Sequence, residues 1–271
     1  TGVPFAQIAD AARMYAGNSP AAILYAMGIT QHTHGTDNVL ATSNLALLTG
    51  NVGLASGGVN PLRGQSNVQG ACDMGALPNV YPGYQKVDIP EIKEKFERAW
   101  GVELDGKPGL THLEILRGAH SGPIKAIYLV GENPALSEAD ANHAREAMKR
   151  CEFLVVQDIF LTESAEYADV VLPAASYAEK DGTFTNTERR VQRVRKAIEP
   201  LGDSRTDWWI TCEIAKRMGE KGFDFANATE IMEEIATLTP IYGGRTHDRM
   251  AAVGLQRPCP DASPPGPLFR D

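Results

Sequence analysis

Short apolar runs that end in polar clusters, each followed by a helix-length stretch, constrain this chain more than any other feature. Residues 21–27 (AAILYAM), 126–130 (AIYLV) and 153–156 (FLVV) are uninterrupted and of strand length. Such runs suit parallel strands covered on both faces. They lead into Met27-Gly28 with Gln31, into Gly131 to Pro134 through Asn133, and into Gln157-Asp158. Between them lie stretches with helical period and helical stop signals: residues 4–17, about 37–49, about 89–100, 137–150 starting at Ser137, 207–218 behind a Thr206 cap, and about 229–238. The alternation predicts an α/β fold of open, mostly parallel sheets with helices on both faces, three layers in all. Ligands of such folds sit beyond the carboxyl ends of the strands. The three clusters are therefore candidate ligand contacts, although each alone would also serve as an ordinary turn.

One stretch fits neither period. Residues 58–84 read GVNPLRGQSNVQGACDMGALPNVYPGY, rich in glycine, proline and amides, with Arg63 as a fixed cation. An irregular segment of this length inside a domain is usually functional or disordered. Val68, Cys72, Met74, Leu77, Val80 and Tyr81 give it apolar side chains to bury, which argues for order. Backbone and amides of this kind hold a polar ligand, and arginine grips a planar anion. The segment divides the chain into residues 1–62, read as the tail of one α/β domain, and residues 63–271, read as the main part of another. The tail from about 258 is proline-rich, a linker or extended segment.

Composition closes off other classes. A net charge of −8 over 271 residues argues against nucleic-acid binding. No apolar run approaches the roughly 18 residues of a membrane span. The first residues lack a basic region followed by an apolar core, so the expectation is a cytoplasmic protein without a signal peptide. Cys72, Cys151, Cys212 and Cys259 lie far apart, without the paired spacing of zinc or iron–sulfur sites, and read as isolated buried thiols. His32 and His34 flank Thr33 at a spacing that could serve a metal, but a polar loop is the better reading; the other histidines read as surface or capping residues. Nucleophile-elbow, Walker and zincin motifs are absent.

The block from Asn60 to Pro78, NPLRGQSNVQGACDMGALP, resembles the active-site loop of molybdenum- or tungsten-dependent formate dehydrogenases, which carry a bis-molybdopterin guanine dinucleotide cofactor. The resemblance implies that Arg63, with Gly64 and Gln65 beside it, lies near the metal and orients formate. Met27, Gly28 and Gln31 match an M-G-x-x-Q pattern that contacts one pterin dinucleotide. Gly131 and Asn133 match a G-x-N-P turn of the guanosine-binding half, and Gln157 and Asp158 match its strand-end pair, the aspartate accepting from guanine N–H groups. Lys180 matches a lysine near phosphate, and Gly182, Thr183 and Asn186 lie in a segment that passes close to the cofactor. Asp207 matches a further nucleotide contact, though an aspartate at a helix start is equally a cap.

The resemblance covers nearly all of this chain, yet the chain covers only the middle of such an enzyme. The metal's cysteine or selenocysteine ligand and the segment holding a [4Fe-4S] cluster would lie upstream, and a C-terminal barrel downstream. Arg257 stands where the family usually has tryptophan before Pro258-Cys259. The implied partners are formate and carbon dioxide, the remaining segments of the catalytic subunit, and electron-transfer subunits. Two other readings stay open: a dinucleotide-binding module without turnover, and another oxidoreductase of the family such as a nitrate reductase.

Overall fold

The computed structural model describes residues 2–263. Strand β1 (Ala22–Tyr25) pairs in parallel with β2 (Gly58–Pro61), Ala22 opposite Gly58 and Tyr25 opposite Pro61. Helices α1 (Phe5–Gly17), α2 (Met27–Thr30) and α3 (Gly35–Leu48) belong to this unit. Asn51 fastens it, accepting from the Ala21 N–H at 2.8 Å and donating to Thr49 Oγ1. Within residues 2–62 only Gly35, Ala46 and Asn51 are buried, and Phe5, Leu24 and Leu48 are largely exposed. The run at 21–27 was expected to be covered on both faces; instead β1 is short and half exposed, and Met27 opens a helical turn.

The next segment is more ordered than its composition suggests. The stretch 58–84, expected to be irregular throughout, contains β2, the short helix α4 (Val68–Asp73) and β3 (Val80–Tyr81), which pairs antiparallel with β4 (Gln85–Lys86). Helix α5 (Pro90–Trp100) starts on proline and stops at Gly101, whose φ of 69° suits glycine. It lays the fully buried Phe96 against Tyr81, with ring centroids 4.5 Å apart.

Helix α6 (His112–Ser121) precedes the main parallel sheet, in which β6 (Phe153–Asp158) lies between β5 (Ala126–Val130) and β7 (Val170–Pro173). Alternation along β6 sends Leu154 and Val156 to one face, where they pack with Ala135 and Met148. The helix expected to run unbroken from Ser137 is two: α7 (Pro134–Ser137) and α8 (Ala141–Arg150). Asp140, not Ser137, caps the longer one, accepting from the His143 N–H at 3.0 Å. A second cluster joins α6 to α8 through Leu116, Ala119, Ala144 and Ala147. On the opposite face Tyr128 and Val130 remain substantially exposed, so this sheet too is covered less completely than expected.

Residues 176–195, read as a polar connection, form a hairpin. β8 (Gly182–Thr185) and β9 (Arg190–Val194) pair antiparallel, and β10 (Leu255–Gln256) adds to β9. Helices α9 (Asp207–Arg217) and α10 (Ala228–Leu238) follow the hairpin in sequence. Thr206 stands at the N-cap of α9 without a side-chain capping bond, whereas Asn227 caps α10 through the Thr229 and Glu230 N–H groups. Under the hairpin, Val191, Met232, Tyr242 and Met250 form a separate core. Among the described residues the architecture is mixed α/β with small open sheets, parallel and antiparallel in equal number. Most of the proline-rich tail lies outside the described residues. No helix among them is long and apolar enough to cross a membrane.

Candidate functional site

The carboxyl rim of the main sheet carries the polar residues expected there. Gly131 turns the chain at φ 61° and donates from its N–H to the Gln157 carbonyl at 2.9 Å. Asn133 braces the turn: its Nδ2 donates to Glu163 Oε2 at 2.7 Å, and its Oδ1 accepts from the Ser164 hydroxyl at 2.7 Å and the Ser164 N–H at 3.1 Å. Asp158 Oδ1 accepts from the Ile159 and Phe160 N–H groups at 2.7 and 3.2 Å. Its second oxygen takes no hydrogen bond from the described residues, leaving an open acceptor on a half-buried side chain.

A second cluster sits behind the rim, on the sheet face opposite Leu154. Gln157 is buried; its Nε2 donates to Asp207 Oδ1 at 2.7 Å, and its Oε1 accepts from the Tyr128 hydroxyl. Asp207 Oδ2 accepts from Lys180 Nζ, which also donates to the Ala175 carbonyl at 2.9 Å. The Asp207 side chain thus points to β6 and Lys180 and does not cap its own helix. Burial, then the Asp207 charge, pushes the Tyr128 phenol up from its ordinary value, so it stays a donor. Carboxylate and ammonium neutralise one another, so this end can meet a neutral polar ring or, through Lys180, an anion.

The third element is the segment bearing Arg63. The Leu62 N–H continues the β1–β2 ladder to the Tyr25 carbonyl at 2.7 Å. Arg63 therefore leaves β2 beside the point where β1 passes into Met27. Met27 and Gln31 bracket the α2 turn, the Gln31 N–H donating to the Met27 carbonyl, and both side chains are exposed. Gln65 and Gly64 are exposed as well. Asn67 then clamps the segment onto β8: its Nδ2 donates to the Thr183 carbonyl at 3.3 Å, and its Oδ1 accepts from the Thr185 N–H at 2.9 Å. Gly70 leaves room for that amide, since a Cβ there would meet Asn67 Oδ1 at 2.2 Å. Asn186 serves its own turn, accepting from the Arg190 N–H and donating to Glu188.

Below this segment lies a network that the strand-end rule does not reach. Arg63 Nε donates to Gln69 Oε1 at 3.1 Å, and Gln69 Nε2 donates to Asp73 Oδ1 and the Tyr84 hydroxyl, each at 3.0 Å. Asp73 is fully buried and accepts further from the Tyr84 and Tyr242 hydroxyls at 3.0 and 2.7 Å. Arg257 Nε stands 3.1 Å from Asp73 Oδ2, but its N–H is not aimed at that oxygen, so the attraction is one of charge. The available signals were the four-residue spacing of Gln69 and Asp73 on one helix face and the unusual arginine at 257.

The glycines test whether something outside the chain fits here. Among the described residues, Gly17, Gly28, Gly64 and Gly182 are the glycines that have ordinary φ and would also meet nothing within 4 Å if given a Cβ. Neither backbone nor packing explains their lack of a side chain. Gly17 ends α1, whereas Gly28, Gly64 and Gly182 lie in the segments expected to pass near a cofactor, where the space beside them leaves room for close approach. No group of His, Cys, Asp and Glu among the described residues could hold a metal ion. His32 Nε2 pairs with the Gly28 carbonyl, and His34 faces Asp37. The histidine at 247, read as a surface or capping residue, is buried against the Thr229 hydroxyl. Cys212 and Cys259 are buried, Cys72 and Cys151 partly so, and all are free thiols.

Comparison with known proteins gives the family and the fold. The chain is 51% identical over 268 residues to the F420-dependent formate dehydrogenase 2 subunit alpha of Methanococcus maripaludis, covering 98% of this chain and 39% of that protein. It is 47% identical over 265 residues to formate dehydrogenase H of Escherichia coli, covering 97% of this chain and 37% of that one. It thus spans less than half the length of these relatives. Acetylene hydratase of Pelobacter acetylenicus shares the fold, with a TM-score of 0.65 and 19% identity over 92% of this chain and 36% of its own. The family model for molybdopterin oxidoreductases matches residues 8–217. The chain belongs to the molybdopterin oxidoreductase family.

Proposed function

We propose that this chain is the central, cofactor-binding segment of a formate dehydrogenase catalytic subunit. The observation that carries the reading is Arg63, tethered through Nε to Gln69 and exposed at the carboxyl end of β2, with no partner on either terminal nitrogen among the described residues. That end of a guanidinium matches both oxygens of a carboxylate. Residues 1–62 and 63–271 would be parts of two domains, in keeping with the near absence of a core in the first.

The family implies a molybdopterin cofactor, here taken as bis-molybdopterin guanine dinucleotide with molybdenum or tungsten, which supplies the redox centre when bound. Met27, Gly28 and Gln31 would lie along one pterin dinucleotide; Gly131, Asn133, Gln157, Asp158 and Asp207 would receive the guanosine of the other, with Lys180 near phosphate and Gly182 and Asn186 passing beside it. The open acceptor of Asp158 suits a base N–H, and the open space at Gly28, Gly64 and Gly182 suits close approach. Formate loses an electron pair and a proton in becoming carbon dioxide. In that reaction Arg63 holds the carboxylate in place and stabilises its charge, with Gln65 alongside. An iron–sulfur cluster and electron-transfer subunits of the full-length enzyme would carry the electrons onward. In the full-length protein, Arg63→Lys loses the paired geometry while keeping the charge. Its kcat/KM for formate should fall roughly 100-fold; retention of the wild-type value refutes the role.

A further inference from the structure

Among the described residues Arg63 touches no carboxylate, yet one stands directly behind its partner Gln69. Gln69 stands between Arg63 and Asp73, and an amide in that place could present either oxygen or nitrogen to the guanidinium. Asp73 removes the choice. An ionised carboxylate only accepts, so the Gln69 nitrogen must face inward, and its oxygen must then face Arg63 Nε. The Tyr84 hydroxyl closes the same triangle, accepting from Gln69 and donating to Asp73. Asp73 in turn is fixed by Tyr242 and by the charge of Arg257.

Exposure rises along this line, from the fully buried Asp73 through Gln69 at 5% to the exposed Arg63. Asp73 already has two hydroxyl donors and a cation besides Gln69. Of its hydrogen-bonded partners, Gln69 is the one that reaches outward to the exposed segment. We propose that Gln69 and Asp73 are positioning residues for Arg63. They hold its Nε so that the two terminal nitrogens present their fork at one angle, a task that rests on the formate role proposed for Arg63.

The test uses the full-length protein with Gln69→Met, Arg63→Lys and the double variant. It reads kcat and KM for formate, metal content, and a crystal structure of Gln69→Met. The expected result is an Arg63 side chain turned away from its wild-type position, unchanged metal content, and kcat/KM lowered roughly 10- to 30-fold, mainly through KM. The double variant should be no worse than Arg63→Lys alone, because Gln69 acts through Arg63. An Arg63 that superimposes on the wild type, or two losses that multiply, overturns the proposal. Arg63 displaced with wild-type kcat/KM leaves the positioning intact and refutes the formate role instead. Should Gln69→Met fail to accumulate, Tyr84→Phe takes its place. A roughly threefold loss that vanishes in the Arg63→Lys background supports the line, and a loss that persists there overturns it.

Discussion

Removing the cation from beside Asp73 should loosen the segment it anchors, and the structure sets the size of the effect. In Arg257→Met the fully buried carboxylate loses a guanidinium nitrogen 3.1 Å away. At an effective dielectric constant of about 20 the direct attraction at that distance is roughly 5 kcal/mol. Breaking a buried pair typically costs about 3–5 kcal/mol. Two features pull the figure down. Gln69, Tyr84 and Tyr242 still donate to the carboxylate, and the lost N–H was never aligned for a hydrogen bond. A loss of about 2–3 kcal/mol is therefore expected, including the guanidinium's position 5.6 Å over the Tyr84 ring. Hydrogen exchange in the full-length protein reads it locally. Amides of residues 69–76 and 241–250 should lose protection roughly 30- to 150-fold, while β5 and β6 change little. Adding Asp73→Asn removes the stranded charge, and the double variant should recover a substantial part of the loss. Protection that falls less than about threefold, or a double variant that is simply additive, would refute this account of the network.

Two further outcomes follow from the cores. Leu154→Ala in β6, a nearly fully buried side chain packed among Ala135, Met148 and Val156, should cost about 3 kcal/mol, read as a lower denaturant midpoint. His247 is held below its ordinary value by burial and by Arg193, against the opposing charges of Asp181 and Asp248. The unfolded chain takes up a proton near pH 6.5 that the folded chain refuses. His247 therefore stabilises fully above that pH, and the stability is lost as pH falls toward the lower folded value. His247→Asn should flatten that acid limb in melts run between pH 7.5 and 5; an unchanged slope counts against it.

The parts of the fold that were legible are those in which one short segment decides its own state. The runs at 126–130 and 153–156 are rich in branched apolar residues and end at Gly131 and Asp158, so strand, turn and polar rim could be placed together. Helix α5 was readable as a charged stretch of helical character over about 89–100, close to its observed Pro90–Trp100. The β8–β9 hairpin was not, because Gly182, Thr183 and Thr185 offer no apolar run and the register comes from pairing with residues 191–194. Helix α4 is too short for a period to emerge. The break after Ser137 depends on Glu132 accepting from its hydroxyl and on Asp140 outcompeting it as a cap. At the site, strand-end residues were visible by position alone. The Asp73 network was not, because Tyr242 and Arg257 come from the far end of the chain and meet Asp73 only after folding.

Asn67 gives the Arg63 segment an unusual mechanical standing. By committing both ends of one amide to the free edge of β8, it makes the crossing behave as a surrogate neighbouring strand rather than a tethered flap. A shift of the hairpin would then pull on the crossing at Asn67. Displacing the Thr183–Thr185 edge would therefore draw on two hydrogen bonds that reach the crossing four residues from Arg63.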